Sequence, residues 1–334
     1  MTLLKKTAEY PPAICLMGPT ASGKTALACE MYDTGKYEII SVDSALVYRG
    51  LDIGTAKPNS QELQQYPHHL VDIIEPEEVY SAANFVEDAT RLIEEIQQRG
   101  KVPLLVGGTM LYFRSLFSGM AAMPAADAVV RAEITAQAEQ HGWEWIHQQL
   151  AIVDPRAAQR FLPSDRQRVM RALEVFRISG RSISDFHDEQ VMESSSDRFT
   201  IYALVPDRAL LHERIALRLQ QMWDAGFIEE VKRLRQRQFL TAELPSMRAV
   251  GYRQVWEYLD KIEQTLPLVA QNDLLTEYQL TDKTNKNILD MQNKALYATR
   301  QLAKRQYTWI RSLSDAHIVQ VFSTVNEGYL HLRS

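Results

Sequence analysis

Gly18-Pro19-Thr20-Ala21-Ser22-Gly23-Lys24-Thr25 has the spacing G-x-x-x-x-G-K-[ST], and its flanks suit it: Ala13 to Met17 is a short apolar run, and Thr25 to Tyr32 reads as helix. A strand running through such a loop into a helix makes a phosphate cradle. Glycines at 18 and 23 let the backbone turn so that its N–H groups point inward, Lys24 supplies positive charge, and the Thr25 hydroxyl can ligate Mg²⁺. The loop predicts a bound di- or triphosphate without choosing between them.

Working outward, Tyr37 to Val42 is a second apolar, β-branched run that ends on Asp43-Ser44. An acidic residue at the carboxyl end of a strand beside a phosphate loop stands in the crevice where open α/β sheets bind ligands, which makes Asp43 the first catalytic candidate. A helix N-cap is the competing role for the same residue. From Ser81 to Gln98, Phe85, Ala89, Leu92, Ile93 and Ile96 recur at helical spacing, and Val102 to Val106 is an uninterrupted apolar strand leading into Gly107-Gly108-Thr109. Strand, helix and strand alternate as in a parallel sheet. Leu104 to Gly108 lacks the strand-end aspartate that would hold Mg²⁺ in an ATPase, which argues against ATP hydrolysis. Between these elements Gly50 to Pro76 has little periodicity and reads as loop; His68-His69 has no acidic or cysteine partners at useful spacing, so a polar loop or packed histidine is expected rather than metal binding.

Composition sets the outer bounds. A chain of 334 residues holds one large core with a smaller inserted or appended unit, and 46% apolar with 24% charged residues is ordinary for a globular protein. No stretch approaches 18 uncharged apolar residues and no secretory segment is evident, so a cytoplasmic protein without a membrane span is expected. The two cysteines, Cys15 and Cys29, fall in the first strand and first helix, where neither a disulfide nor zinc is expected. A net charge of −5 excludes a protein coated all over in nucleic acid but leaves room for a local basic face.

Residues 120 to 195 change character. Asp127 opens Ala- and Gln-rich helical sequence to His141, and a further helix starts near Trp143. Then Arg156, Arg160, Arg166, Arg168, Arg171, Arg177 and Arg181 follow with only Asp165 and Glu174 in the same span, a face suited to neutralising phosphates unless it is simply solvated. Gly180 to Arg198 reads as a polar hinge, Phe199 to Val205 as another strand, and Arg208 to Arg237 as a long helix interrupted by Gly226. Residues 262 to 288 look like a polar surface excursion. Asn293 to Arg311 is strongly helical and interleaves Arg300, Lys304, Arg305 and Arg311 with Tyr307 and Trp309, a mixture suited to unstacked RNA bases or to a solvated basic face. Ala316 to Phe322 reads as a closing strand.

Together, Gly18 to Thr25, Asp43 to Tyr48, His68 to Asp72, Gly107-Gly108-Thr109, Gln167-Arg168 with Arg171 to Glu174, Arg248 with Gly251 to Gln254, and Lys304-Arg305-Gln306 with Thr308-Trp309 and Arg311 resemble, in order, the tRNA dimethylallyltransferase family. The resemblance implies an α/β fold, a P-loop NTPase-like parallel sheet flanked by helices, with a small helical tRNA-binding domain (120–198) inserted into a catalytic core (1–119 and 199–334). It implies that the P-loop holds the diphosphate of dimethylallyl diphosphate with Mg²⁺ on Thr25, and that Arg218 joins it. Asp43 would act as the base on the adenine amine or reach the water shell of the metal. Thr109 would touch the adenine or assist the leaving group. Further tRNA contacts are implied at Ser44, Ala45 and Leu46, at Gln167, Arg168, Val169, Met170 and Arg171, and at Arg248, Ala249, Val250, Gly251, Tyr252 and Arg253. The last set is Lys304, Arg305, Gln306, Tyr307, Thr308, Trp309, Ile310 and Arg311. The expected partners are the anticodon stem-loop of tRNA and dimethylallyl diphosphate, acting on a monomer. A small-molecule P-loop kinase and a non-catalytic RNA-binding protein with a regulatory nucleotide site are the rival readings of the same residues.

Overall fold

A computed structural model describes residues 10–118, 123–189, 198–270, 277–314 and 319–333. The chain divides into two compact units, residues 1–113 with 196–334, and residues 114–195. The larger unit begins with β1 (Ala13–Met17), α1 (Lys24–Tyr32), β2 (Tyr37–Val42), α2 (Ser60–Gln65), β3 (His68–His69), α3 (Ala82–Gln98) and β4 (Val102–Gly107). After α4 (Met110–Ser118), within which the division falls, the smaller unit holds α5 (Ala128–His141), α6 (Trp143–Val153), α7 (Pro155–Arg160), α8 (Arg166–Ser179) and α9 (Ile183–Glu189). The larger unit resumes with β5 (Phe199–Leu204), α10 (Arg208–Asp224), α11 (Phe227–Leu234), α12 (Tyr252–Ala270), α13 (Glu277–Ser314), β6 (Val319–Phe322) and α14 (Val325–Arg333).

Six strands form one sheet in the order β3-β2-β4-β1-β5-β6, and every pairing is parallel. Continuous apolar strands such as Ala13–Met17 suit this arrangement, because helices cover a parallel sheet on both faces. On one face Leu16, Ile39, Leu104 and Val106 pack with Leu27, Ala28 and Met31 of α1 and with Val325, Tyr329 and Leu332 of α14. Helix α3 buries Phe85, Ala89, Leu92, Ile93 and Ile96, and its start is fixed by a reciprocal cap between Ser81 and Asn84. The register matters most for function. Val42 pairs with Gly107 and Gly107 with Met17, so the loops after β2, β4 and β1 leave the sheet side by side at its carboxyl edge.

Several expectations change. The loop read at 50–76 contains a capped short helix, α2, and the short strand β3. The supposed surface excursion at 262–288 is the end of α12 and the first turns of α13, and residues 271–276 lie outside the described residues. The helix expected over 208–237 divides into α10 and α11 at Gly226, whose φ of 92° favours glycine. Of the hinge read at 180–198, Ile183–Glu189 is helical and 190–197 lie outside the described residues. Helix α14 follows β6 and completes the cover over α1.

The smaller unit packs Ile134, Ile146, Leu150, Val169, Leu173 and Val175 into a core of its own. Asp127 caps α5 by accepting the Val129 and Val130 N–H groups. Buried Asp154 accepts the Ala157 N–H at the start of α7, and the Ser184 N–H and hydroxyl at the start of α9.

Candidate functional site

At the end of β1 the P-loop turns through Ala21 (φ 63°) and Gly23 (φ 98°), two left-handed residues that reverse the chain before α1. Gly23 is the N-cap residue, and no side chain caps α1, so the N–H groups of its first turn face the loop for an anion to meet. The Lys24 ammonium folds back to donate to the Pro19 carbonyl at 3.3 Å. Burial pulls its pKa down from 10.5; Asp43 opposes that and Arg218 adds to it, leaving it at about 8. Thr25 is exposed at the mouth of the cradle.

Asp43 follows β2. Its Oδ1 accepts the N–H groups of Ala45 (2.8 Å) and Leu46 (3.3 Å), which fixes the turn after the strand. A turn and not a helix follows Asp43, so the N-cap role is not realised; the carboxylate instead closes that turn, which occupies one of its oxygens. Thr109, after β4, holds the same turn from the other side: its Oγ1 accepts the Ser44 N–H at 3.0 Å, and its own N–H donates to the Val42 carbonyl at 3.2 Å. Arg218 comes from α10, donating through Nη2 to the Thr55 carbonyl at 3.3 Å. Burial lowers its pKa against the pull of Asp43, so two confined cations and one carboxylate share this corner. These groups line a cavity of about 480 Å³ with Thr20, Ala21, Thr25, Ser44, Ala45, Leu46, Arg248, Ala249, Val250, Gly251, Tyr252, Arg305, Gln306 and Trp309.

A family model for IPP transferases matches residues 46–313. The chain is also 52% identical over 326 residues to a tRNA dimethylallyltransferase of Acinetobacter baumannii strain ATCC 17978, covering 97% of this chain and 98% of that protein. The chain belongs to the IPP transferase family. Its fold is similar to that of the tRNA isopentenylpyrophosphate transferase of Bacillus halodurans, at TM-score 0.62 and 32% identity over 96% of this chain and 95% of that one. A eukaryotic dimethylallyltransferase described as acting on tRNA aligns at TM-score 0.69 and 26% identity over 90% of this chain and 70% of that one.

For an IPP transferase, the residues expected to meet RNA sort into three groups. Arg248, Arg305 and Trp309 reach the cavity, and Arg253, Lys304, Tyr307, Thr308 and Arg311 are exposed outside it. Others are held by the fold, and of these Gly251, Tyr252 and Gln306 also line the cavity. Val169 lies in the core of the smaller unit, and Ile310 is only 3% exposed in the larger. Tyr252 is buried with its hydroxyl donating to Glu230 at 2.5 Å, Gly251 is buried beside it, and Gln306 is buried with both ends of its amide engaged. Apolar and amide side chains inside a run of contacts are the ones a helix turns inward, and residue type alone does not show which face that is.

The arginine run also changes meaning. Arg156 pairs with Asp185 and Asp188, Arg181 with Glu189, and Arg177 lies near Glu133, so its counter-charges come from outside the span. Arg171 donates to Glu174 (2.7 Å) and the Pro124 carbonyl, which makes it a bracket within the small unit. Arg168 differs: it is two-thirds exposed, with Asp165 at 3.7 Å, and Gln167 beside it is exposed. Met170 is half-buried against the core.

Sequence reasoning missed His68, Thr299, Leu302 and Met222 in the cavity wall. Met222 packs with Leu211, Ile215 and Leu219 on the apolar face of α10, whereas Leu302 and Thr299 carried no signal in the sequence. As for a metal, no cluster of three or more His, Cys, Asp or Glu among the described residues could hold one. A hydroxyl at Thr25 and a carboxylate at Asp43 beside a phosphate cradle fit Mg²⁺ held largely by substrate oxygens and water. Among the described residues no helix is long and apolar enough to cross a membrane.

Proposed function

We propose that this IPP transferase moves the dimethylallyl group of dimethylallyl diphosphate to the N6 amine of the adenosine 3′-adjacent to the anticodon in tRNA, releasing diphosphate. The observation that carries the reading is the meeting of Lys24, Arg218, Asp43 and Thr109 in one cavity that Arg248, Arg305 and Trp309 also line. A phosphate site and an aromatic, basic approach for a base share one space, as group transfer between the two requires. The family membership and the names of the relatives agree with it.

The allylic C–O bond breaks, its electron pair leaves with the diphosphate, and the N6 lone pair forms the new C–N bond. The N–H groups at the start of α1, Lys24 and Arg218 take up the charge that develops on the leaving oxygens. Thr25 would hold Mg²⁺, which supplies further positive charge there. The lone pair of N6 is delocalised into the purine, so Asp43 accepts the N6 proton as the bond forms. Thr109 holds the Ser44 turn that orients Asp43. The adenine must leave its stack to reach this carboxylate, at a cost of a few kcal/mol offset by stacking in the pocket. We assign the protein to the cytoplasm as a monomer.

Labelled dimethylallyl diphosphate, Mg²⁺ and unmodified tRNA test the reading: label is expected on a single anticodon-loop adenosine. Transfer of the ATP γ-phosphate to a small molecule without any labelled RNA would overturn it in favour of a kinase.

A further inference from the structure

The amide of Gln306 on α13 is tied to two loops of the site at once. The Thr20 N–H donates to its Oε1 at 2.9 Å, and its Nε2 donates to the Gly108 carbonyl at 2.8 Å. A Cβ at position 108 would stand 2.4 Å from that Nε2, so a larger residue there would push the amide from its present place. From Gly108 the chain of contacts continues through Thr109 to the Ser44 N–H and the Asp43 turn. One buried side chain thus links the P-loop to the loop that orients the carboxylate.

The helix carrying this amide also carries a surface. Leu302, Arg305 and Trp309 line the cavity on the Gln306 side, while Lys304, Tyr307 and Arg311 are exposed. Within a helix these residues move together, so a load applied to the exposed side shifts the amide as well. Hydrogen bonds weaken steeply with distance and angle, and two of them pointing at different loops sense any such shift. The Thr20 N–H is also withdrawn from the phosphate, and the Ser22 N–H is taken by the Pro19 carbonyl at 3.2 Å, which leaves the cradle to Ala21 and to residues from Gly23 onward.

We propose that Gln306 is a positioning residue through which RNA docking on α13 sets the diphosphate cradle against the Thr109 loop, so that RNA and diphosphate bind cooperatively. The inference rests on the reading of the chain as a prenyl transferase acting on RNA. Coupling of this kind is reciprocal, each ligand raising the affinity of the other by the same factor, commonly between about 5- and 150-fold.

The test uses an unreactive thiolodiphosphate analogue of dimethylallyl diphosphate with Mg²⁺, with and without an unmodified anticodon stem-loop. Binding, KM, kcat and melting temperature are measured for the wild type, Gln306→Met, Gln306→Glu and Gly108→Ala. The wild type is expected to bind the analogue about tenfold more tightly when RNA is present. In Gln306→Met and Gly108→Ala that gain disappears and KM for the diphosphate rises, while the affinity for RNA alone is unchanged. Gln306→Glu keeps an acceptor for Thr20 but sets a carboxylate against the Gly108 carbonyl, so it should do worse than the methionine. A lowered melting temperature with wild-type coupling and KM makes Gln306 a stability residue and overturns the proposal, as does a wild type without coupling. If the wild type fails to prenylate RNA, the functional reading falls too; if it prenylates and the variants keep the coupling, only this inference falls.

Discussion

Asp43 spends Oδ1 on the Ala45 and Leu46 N–H groups, so truncating it would loosen the turn as well as remove a base. Asp43→Asn keeps the acceptor and removes the basicity. Its kcat is expected to fall about 10²- to 10⁴-fold with both substrates still bound, and near-normal turnover would remove Asp43 as the base. Lys24 sets a pH dependence. Its pKa of about 8 belongs to the protein without ligand, and a diphosphate stabilises the charged form, so binding raises it. Diphosphate affinity should therefore fall as pH rises above about 8, and binding near pH 8 to 9 should take up a proton. Calorimetry in buffers of different ionisation enthalpy measures that proton, and Lys24→Met should abolish the uptake.

Helix α8 separates two arginines that look alike in sequence. Arg168→Glu should weaken tRNA binding, more at low salt than at high, while leaving diphosphate binding and stability intact. Arg171→Ala should instead cost about 1 to 3 kcal/mol of stability in denaturant unfolding, because Glu174 is buried and loses one of its two guanidinium partners. An unchanged midpoint in that variant would show that Glu174 does not depend on Arg171. The pair also shows what the sequence could tell: spacing placed both residues on a helix, but Glu174 is the group that engages Arg171, and the partners of Arg156 and Arg181 arrive from α9. In contrast, the phosphate loop and the strand-end positions of Asp43 and Thr109 were legible, because each is announced by an apolar run that stops at the sheet edge.

Across the larger unit, distant segments are fastened by a few buried polar groups that no local pattern advertises. Glu230 of α11 accepts the N–H groups of Asp52, Ile53 and Gly54 together with the Tyr252 hydroxyl, and so shapes the wall of the cavity at Gly54 and Tyr252. Glu230→Ala strands those donors and should destabilise the protein by about 3 kcal/mol or more in urea unfolding; a loss under about 0.5 kcal/mol would mean that the wall holds without it. Such long-range contacts, like the Gln306 bridge, become visible only once α11, α12 and α13 are brought to the loops they hold. The central claim is that an allylic diphosphate and an unstacked adenine meet at Asp43. The most direct measurement is a ternary crystal structure with the thiolodiphosphate analogue, Mg²⁺ and an anticodon stem-loop. The account predicts the diphosphate on the N–H groups around Gly23 to Thr25, and N6 about 3 to 3.5 Å from the allylic carbon and hydrogen-bonded to Asp43. A nucleoside triphosphate preferred in the cradle, or an adenine still stacked out of reach of Asp43, would contradict it.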